Sequence, residues 1–131
     1  MLPEPGLTIL NTYSLTGSAG AFTAAITALA GRVEAEGHPG VLSYRFFVHK
    51  SDAVARAVID YADPSAWIGH HDRSMVWPEM QALHAVAQLR KVTFLGTVTP
   101  EIEKWLSGSG LTAEIAFGFV EAAGFRRQQP R

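Results

Sequence analysis

Cysteine is absent from the 131 residues. Disulfides, thiolate metal sites and cysteine nucleophiles are therefore excluded. Charge is sparse and balanced: 18% of residues are charged, with 11 Lys+Arg against 12 Asp+Glu, for a formal net charge of -1. A nucleic-acid face or a polybasic membrane patch would need a basic excess, so neither partner is expected. No apolar run is long enough to cross a bilayer, because Ala19–Ala30 is broken by threonines. Met1–Gly6 carries Glu4 and two prolines rather than a basic leader, and a cytoplasmic protein is the expectation. No Gly-x-Ser-x-Gly elbow or P-loop is present; Gly17-Ser18-Ala19-Gly20 lacks the lysine and the spacing.

What the chain does have is apolar material, at 47%. That supports one domain over 1–131, with a core from 7 to 106 and an appended segment from 100 to 131. Leu7–Leu15 reads as a strand with Leu7, Ile9, Asn11, Tyr13 and Leu15 on one face. Ala19–Glu36 reads as a helix with Phe22, Ile26, Leu29 and Val33 as its core stripe. Val41–His49 and Ala53–Tyr61 read as a hairpin around Lys50-Ser51-Asp52. Asp63-Pro64 opens a helical region to about Gln88, broken near Ser74–Pro78. Lys91–Thr99 is a strand and Thr99–Leu106 a capped helix. Ser107-Gly108-Ser109-Gly110 reads as a turn, Ala113–Val120 as an edge strand, and Arg126–Arg131 as a solvated tail.

The order β-α-β-β-α-β predicts an α+β, ferredoxin-like fold with an antiparallel sheet and both helices on one face. The strands carry large apolar groups on both faces: Val41 and Phe47 oppose Leu42 and Phe46, and Val92 and Phe94 oppose Leu95. Burying such side chains is worth roughly 1.5–3 kcal/mol each. A homodimer joined through its sheet faces is therefore expected.

Tyr61–His84 is the stretch richest in chemistry, holding Tyr61, Trp67, His70, His71, Trp77, Met80 and His84. Trp67, His70 and His71 share one helical flank. Adjacent His70 and His71 point about 100° apart, so one is expected to face inward fully. Asn11, a mid-strand amide, needs partners for its polar atoms. Trp67 and Trp77 are candidates for the flat walls of an aromatic pocket, or else for ordinary core packing. Tyr44, Arg45 and Tyr61 are further candidates to touch a ligand; Arg45 in an apolar strand asks for a ligand anion or a carboxylate such as Asp60 across a dimer. His70, His71 and His84 have no metal-ligand spacing, and no metal or other cofactor is expected.

Three segments carry a resemblance: Pro39-Gly40-Val41-Leu42-Ser43-Tyr44-Arg45-Phe46, then Asp60-Tyr61-Ala62-Asp63-Pro64-Ser65-Ala66 with His70 four residues on, then Leu95-Gly96-Thr97-Val98-Thr99-Pro100-Glu101. Together they resemble the antibiotic biosynthesis monooxygenase-like family of the dimeric α/β-barrel superfamily. The resemblance implies face-to-face dimers and, in some members, oxidation of planar phenolic or polyketide-like compounds without metal or flavin. It marks His70, at the family's Ala-x-x-x-His position, as the base or hydrogen-bond anchor, and Asn11 as its catalytic companion. The alternative for His70 is a helix histidine bonded to a backbone carbonyl. The resemblance also reaches haem-degrading members, but Met80 stands where their haem-ligating histidine is expected. Three functions remain open: a cofactor-independent monooxygenase, a non-catalytic or stress-related dimer that binds a small hydrophobic molecule, and an interaction module with a filled core.

Overall fold

The computed structural model describes residues 6–127; Met1–Pro5 and the tail beyond Arg127 lie outside them. β1 (Leu7–Leu15), α1 (Ala19–Glu36), β2 (Val41–His49), β3 (Val54–Tyr61), α2 (Pro64–Ser74), α3 (Pro78–Val86), β4 (Ala87–Gly96), α4 (Pro100–Ser109) and β5 (Glu114–Phe119) follow in that order. The sheet order is β2-β3-β1-β4-β5. The first four strands pair antiparallel in the ferredoxin-like arrangement. No helix among the described residues is long and apolar enough to cross a membrane.

Local chemistry sets the helix starts. Ser18, Asp63 and Thr99 each accept a hydrogen bond from a backbone N–H of the turn they cap, and Pro64 and Pro100 occupy first-turn positions where no N–H is needed. The α1 stripe Phe22, Ile26, Leu29 and Val33 is buried as its spacing demands. It packs on the sheet face formed by Leu7, Ile9 and Tyr13 of β1 with Ala55, Ala57 and Ile59 of β3 and Phe94 of β4.

The structure departs from the sequence reading in four places. The sheet is mixed, since β5 runs parallel to β4; α4 is the crossover that a parallel pair requires. β4 begins at Ala87 rather than Lys91. A register shift there sets Tyr13 opposite Leu89 and Thr12 opposite Lys91, which breaks the period of two. α4 runs to Ser109, where Gly110 ends it in the left-handed region. Ala53 belongs to the hairpin turn, with φ at +54°.

α2 lies tightly on the chain that enters β2. The His38 ring covers Gly69, where a Cβ would overlap it, and a Cβ at Gly40 would overlap Ala66. Gly69→Ala should lower unfolding stability by about 1–3 kcal/mol. His38→Ala added to it should restore part of that loss, as read from urea midpoints.

Candidate active site

A cavity of about 310 Å³ lies between the sheet and helices α2, α3 and α4. Its floor is Ile9, Asn11 and Tyr13 of β1, Tyr44 of β2, Ile59 and Tyr61 of β3, and Leu89 and Val92 of β4. Its roof is Trp67, His70 and His71 of α2, Met80 and His84 of α3, and Trp105, Leu106 and Ser109 of α4, with Met75 and Leu111 beside them. Met75, His84, Ser109 and Leu111 are solvent-exposed, so the mouth opens between the α2–α3 corner and the end of α4.

Both adjacent histidines reach this cavity, against the expectation that one would. α2 sits in the corner between the sheet and α4, so directions 100° apart both find cavity wall. His70 turns to the sheet, its ring edge-on to Tyr44 at 5.4 Å and 5.9 Å from Tyr61. His71 turns to α4, 5.3 Å from Trp105 and 4.2 Å from Trp67. The backbone carbonyl bond belongs to His71: its Nδ1 donates to Trp67 O at 2.7 Å, leaving Nε2 as the acceptor. His70 is 2% exposed and its Nδ1 has no partner. Asn11 donates from Nδ2 to the Tyr13 hydroxyl at 3.2 Å, while its Oδ1 is buried without a partner. Buried polar atoms left unpaired cost free energy, and both residues that carry them line the cavity.

Trp77 and Arg45 lie elsewhere. Trp77 is the buried N-cap of α3, covered by the Arg32 guanidinium 4.4 Å from its ring; Arg32 also pairs with Glu79 at 2.9 Å. That stack fastens α3 to α1. Arg45 is exposed on the opposite face of the sheet, 5.7 Å from the Phe47 ring, because strand alternation puts it out of phase with Tyr44. Trp105 was missed by the sequence reading. It packs edge-on against Trp67 at 5.1 Å and donates Nε1–H to Asp72 at 2.8 Å. The signal was present in the spacing of Ile102, Trp105, Leu106 and Ser109, which ending the helix at Leu106 cut short.

Among the described residues no Asp, Glu, Lys or Arg lines the cavity. Burial pushes the Tyr13 phenol up to about 12 and holds Tyr44 and Tyr61 well above their ordinary value. All three remain protonated near neutral pH. Burial also drives His70 down to about 3, with the neighbouring His71 and His38 adding to the effect. His71 falls to about 4 for the same first reason, partly offset by its bond to Trp67. The site is thus neutral, with phenols as donors and imidazoles and an amide as acceptors, between aromatic walls.

No protein-family model matches the chain, and no curated protein matches it. Solved structures do. SnoaB from Streptomyces nogalater, described as a cofactor-independent oxygenase, superposes with a TM-score of 0.57 at 15% identity, covering 73% of this chain and 96% of its own. MupZ from Pseudomonas fluorescens gives 0.68 at 18% identity, over 92% of this chain and 93% of its own. An antibiotic biosynthesis monooxygenase gives 0.54 at 15% identity, over 71% and 99%. The chain has the fold of the antibiotic biosynthesis monooxygenases. These identities speak to fold; the chemistry is argued from the site.

The two suppressed histidines make stability depend on pH. In the unfolded chain each titrates near 6.5, so between that value and the folded values of about 3 and 4 the unfolded state binds more protons. Their contribution is complete above about pH 6.5 and is lost as pH falls through about 4 for His71 and about 3 for His70. Urea midpoints should therefore drop from pH 7.5 to pH 5, and His70→Gln should shrink that difference. Imidazole resonances of His70 and His71 should not titrate between pH 8 and pH 5.

Proposed function

We propose that this chain is a cofactor-independent monooxygenase acting on a planar hydroxylated aromatic, phenolic or polyketide-like, in the cytoplasm. One observation carries the reading: an uncharged, aromatic-walled cavity is lined by Asn11 and His70, whose buried Oδ1 and Nδ1 have no protein partner. Trp67 and Trp105, packed edge-to-face, would wall the substrate on the α2–α4 side, and Tyr44 and Tyr61 are positioned beside His70 to donate to an oxyanion. The name of the SnoaB neighbour supports the same class of reaction.

The stoichiometry needs no external reductant. A ring methylene flanked by hydroxyaryl groups becomes a carbonyl, R₂CH₂ + O₂ → R₂C=O + H₂O. The substrate loses a proton, and its carbanion gives one electron to oxygen. The radical pair then joins as a C–O bond, and cleavage of the peroxide O–O bond releases water. The protein supplies binding, deprotonation and exclusion of bulk water. His70 is a weak base in the empty cavity, and each pKa unit between donor and acceptor costs about 1.4 kcal/mol. The substrate anion must therefore be strongly delocalised, and Asn11 and the phenols must stabilise it. The same weak basicity favours a second reading, a binding protein that uses this cavity without turnover. A packed interaction module is disfavoured by the cavity itself.

Oxygen uptake with hydroxylated tricyclic compounds tests the first reading. His70→Ala and Asn11→Ala should each cut kcat by about 10²–10⁴-fold, with one ¹⁸O atom from ¹⁸O₂ found in the product of the unaltered protein. Tight binding with no oxygen uptake would establish the second reading instead.

The proposed partner is a second copy. The outer sheet face is crossed by three registered rows: Ser43-Asp60-Thr8-Leu95-Phe119, Arg45-Val58-Leu10-Thr93-Ala116, and Phe47-Arg56-Thr12-Lys91-Glu114. Leu10, Phe47, Leu95 and Phe119 are exposed there, and a face-to-face dimer would bury them. Asp60 takes hydroxyl bonds from Thr8 and Ser43, each at 2.7 Å, and is a carboxylate that the partner's copy of Arg45 could meet. Sedimentation should show a dimer that Leu10→Asp with Phe47→Asp converts to monomer; a monomeric unaltered protein would refute the pairing.

A further inference from the structure

α4 is fastened unevenly. Its first turn is capped by Thr99 and anchored by Ile102, which is fully buried. Its last turn, Ser107-Gly108-Ser109-Gly110, is exposed, and Gly110 leaves the helix at a φ of +71°. Ser109 and Leu111 at this exposed end, just before β5 rejoins β4, stand on the cavity mouth with Met75 and His84. From Ile102 to Ser109 the helix is a lever of about 10 Å. Among the described residues, one hydrogen bond ties α4 to another element: Trp105 Nε1–H to Asp72 Oδ1 at 2.8 Å. It lies at the exposed edge of the α2–α4 contact, while the same indole forms the cavity wall against Trp67 and His71.

We infer that the Asp72–Trp105 hydrogen bond is a latch on the cavity, and that it sets how fast ligands pass the mouth by holding the exposed outer end of α4 against α2. Asp72 is a positioning residue, acting through Trp105 without facing the cavity. Trp105 is both latch and wall. Opening parts the Trp105 ring from Trp67 and His71 while Ile102 and the Thr99 cap stay in place. The latch rests on the reading that the cavity takes a ligand, and not on whether that ligand is oxidised.

The test uses N-phenyl-1-naphthylamine, an uncharged polycyclic amine that brightens in apolar pockets, followed by stopped-flow fluorescence on the full chain. Asp72→Ala should raise the association and dissociation rate constants together by about three- to tenfold, the scale of one exposed charge-assisted bond. Kd should move much less. Asp72→Asn, which keeps an acceptor oxygen, should stay near the unaltered rates. Trp105→Phe should speed passage as Asp72→Ala does while also changing Kd through the altered wall, and adding Asp72→Ala to it should speed passage no further. Melting curves identify any variant that merely fails to fold; Asp72 is exposed, so its variants should still melt cooperatively, within several degrees of the parent. Unchanged rates in Asp72→Ala, or a rise in dissociation alone, would overturn the latch while the cavity reading stands. No probe binding by the unaltered protein would overturn both, and oxygen uptake without any effect at Asp72 would overturn the latch alone.

Discussion

The close packing of α2 against the segment entering β2 is the constraint on which the site depends. His38 lies across Gly69 and Gly40 meets Ala66, with no space for a further methyl group at either glycine. This seats α2 low in the corner between the sheet and α4. From that position His70 reaches the sheet tyrosines and His71 reaches Trp105. A helix raised by a side chain at residue 69 would carry both imidazoles away from the floor. The Asp63 cap and Pro64 fix where α2 begins, and so which of its residues face down.

Burial then determines the chemistry. Two histidines side by side in water would be ordinary bases near neutrality. Enclosed by Trp67, Trp105, Tyr44 and Tyr61, they are neutral acceptors, and the tyrosines are firm donors. Such a site recognises hydroxyl and carbonyl groups on an apolar frame and offers no fixed charge to an ionic ligand. It can favour a delocalised anion through hydrogen bonds without a formal positive charge beside it. The outer sheet face is unlike it, mixing exposed Leu10, Leu95 and Phe119 with Arg45, Arg56 and the Lys91–Glu114 pair. One sheet therefore carries a dry, uncharged face towards the helices and a mixed face on its reverse.

Much of this was legible in the chain. Ser18, Asp63-Pro64 and Thr99-Pro100 announced helix starts that the backbone obeys. The α1 stripe and Leu7, Ile9 and Tyr13 on the odd-numbered face of β1 are buried as their periods require. Asn11, Tyr44, Tyr61, Trp67, His70, His71 and His84 all line one cavity. Trp77 failed as a pocket wall because its distance from Trp67 along the chain says nothing of the turn between α2 and α3, which sends it beneath Arg32. Arg45 failed because neighbours on a strand look to opposite faces, and only one of Tyr44 and Arg45 could share the cavity.

The sequence by itself determined the elements, their caps and the order that makes the fold ferredoxin-like, because those follow from contacts within a turn or along a strand. The tertiary structure decided the rest. It set β5 parallel to β4, let both histidines meet the same space, left Asn11 Oδ1 and His70 Nδ1 unpaired, and placed Trp105 over the site. Each of these depends on groups far apart in the chain: Asp72 and Trp105 are 33 residues apart and meet at 2.8 Å. Local periodicity carries no information about such meetings. Burial, which suppresses the histidines and fixes the neutral character of the site, exists only once the distant segments have closed around them.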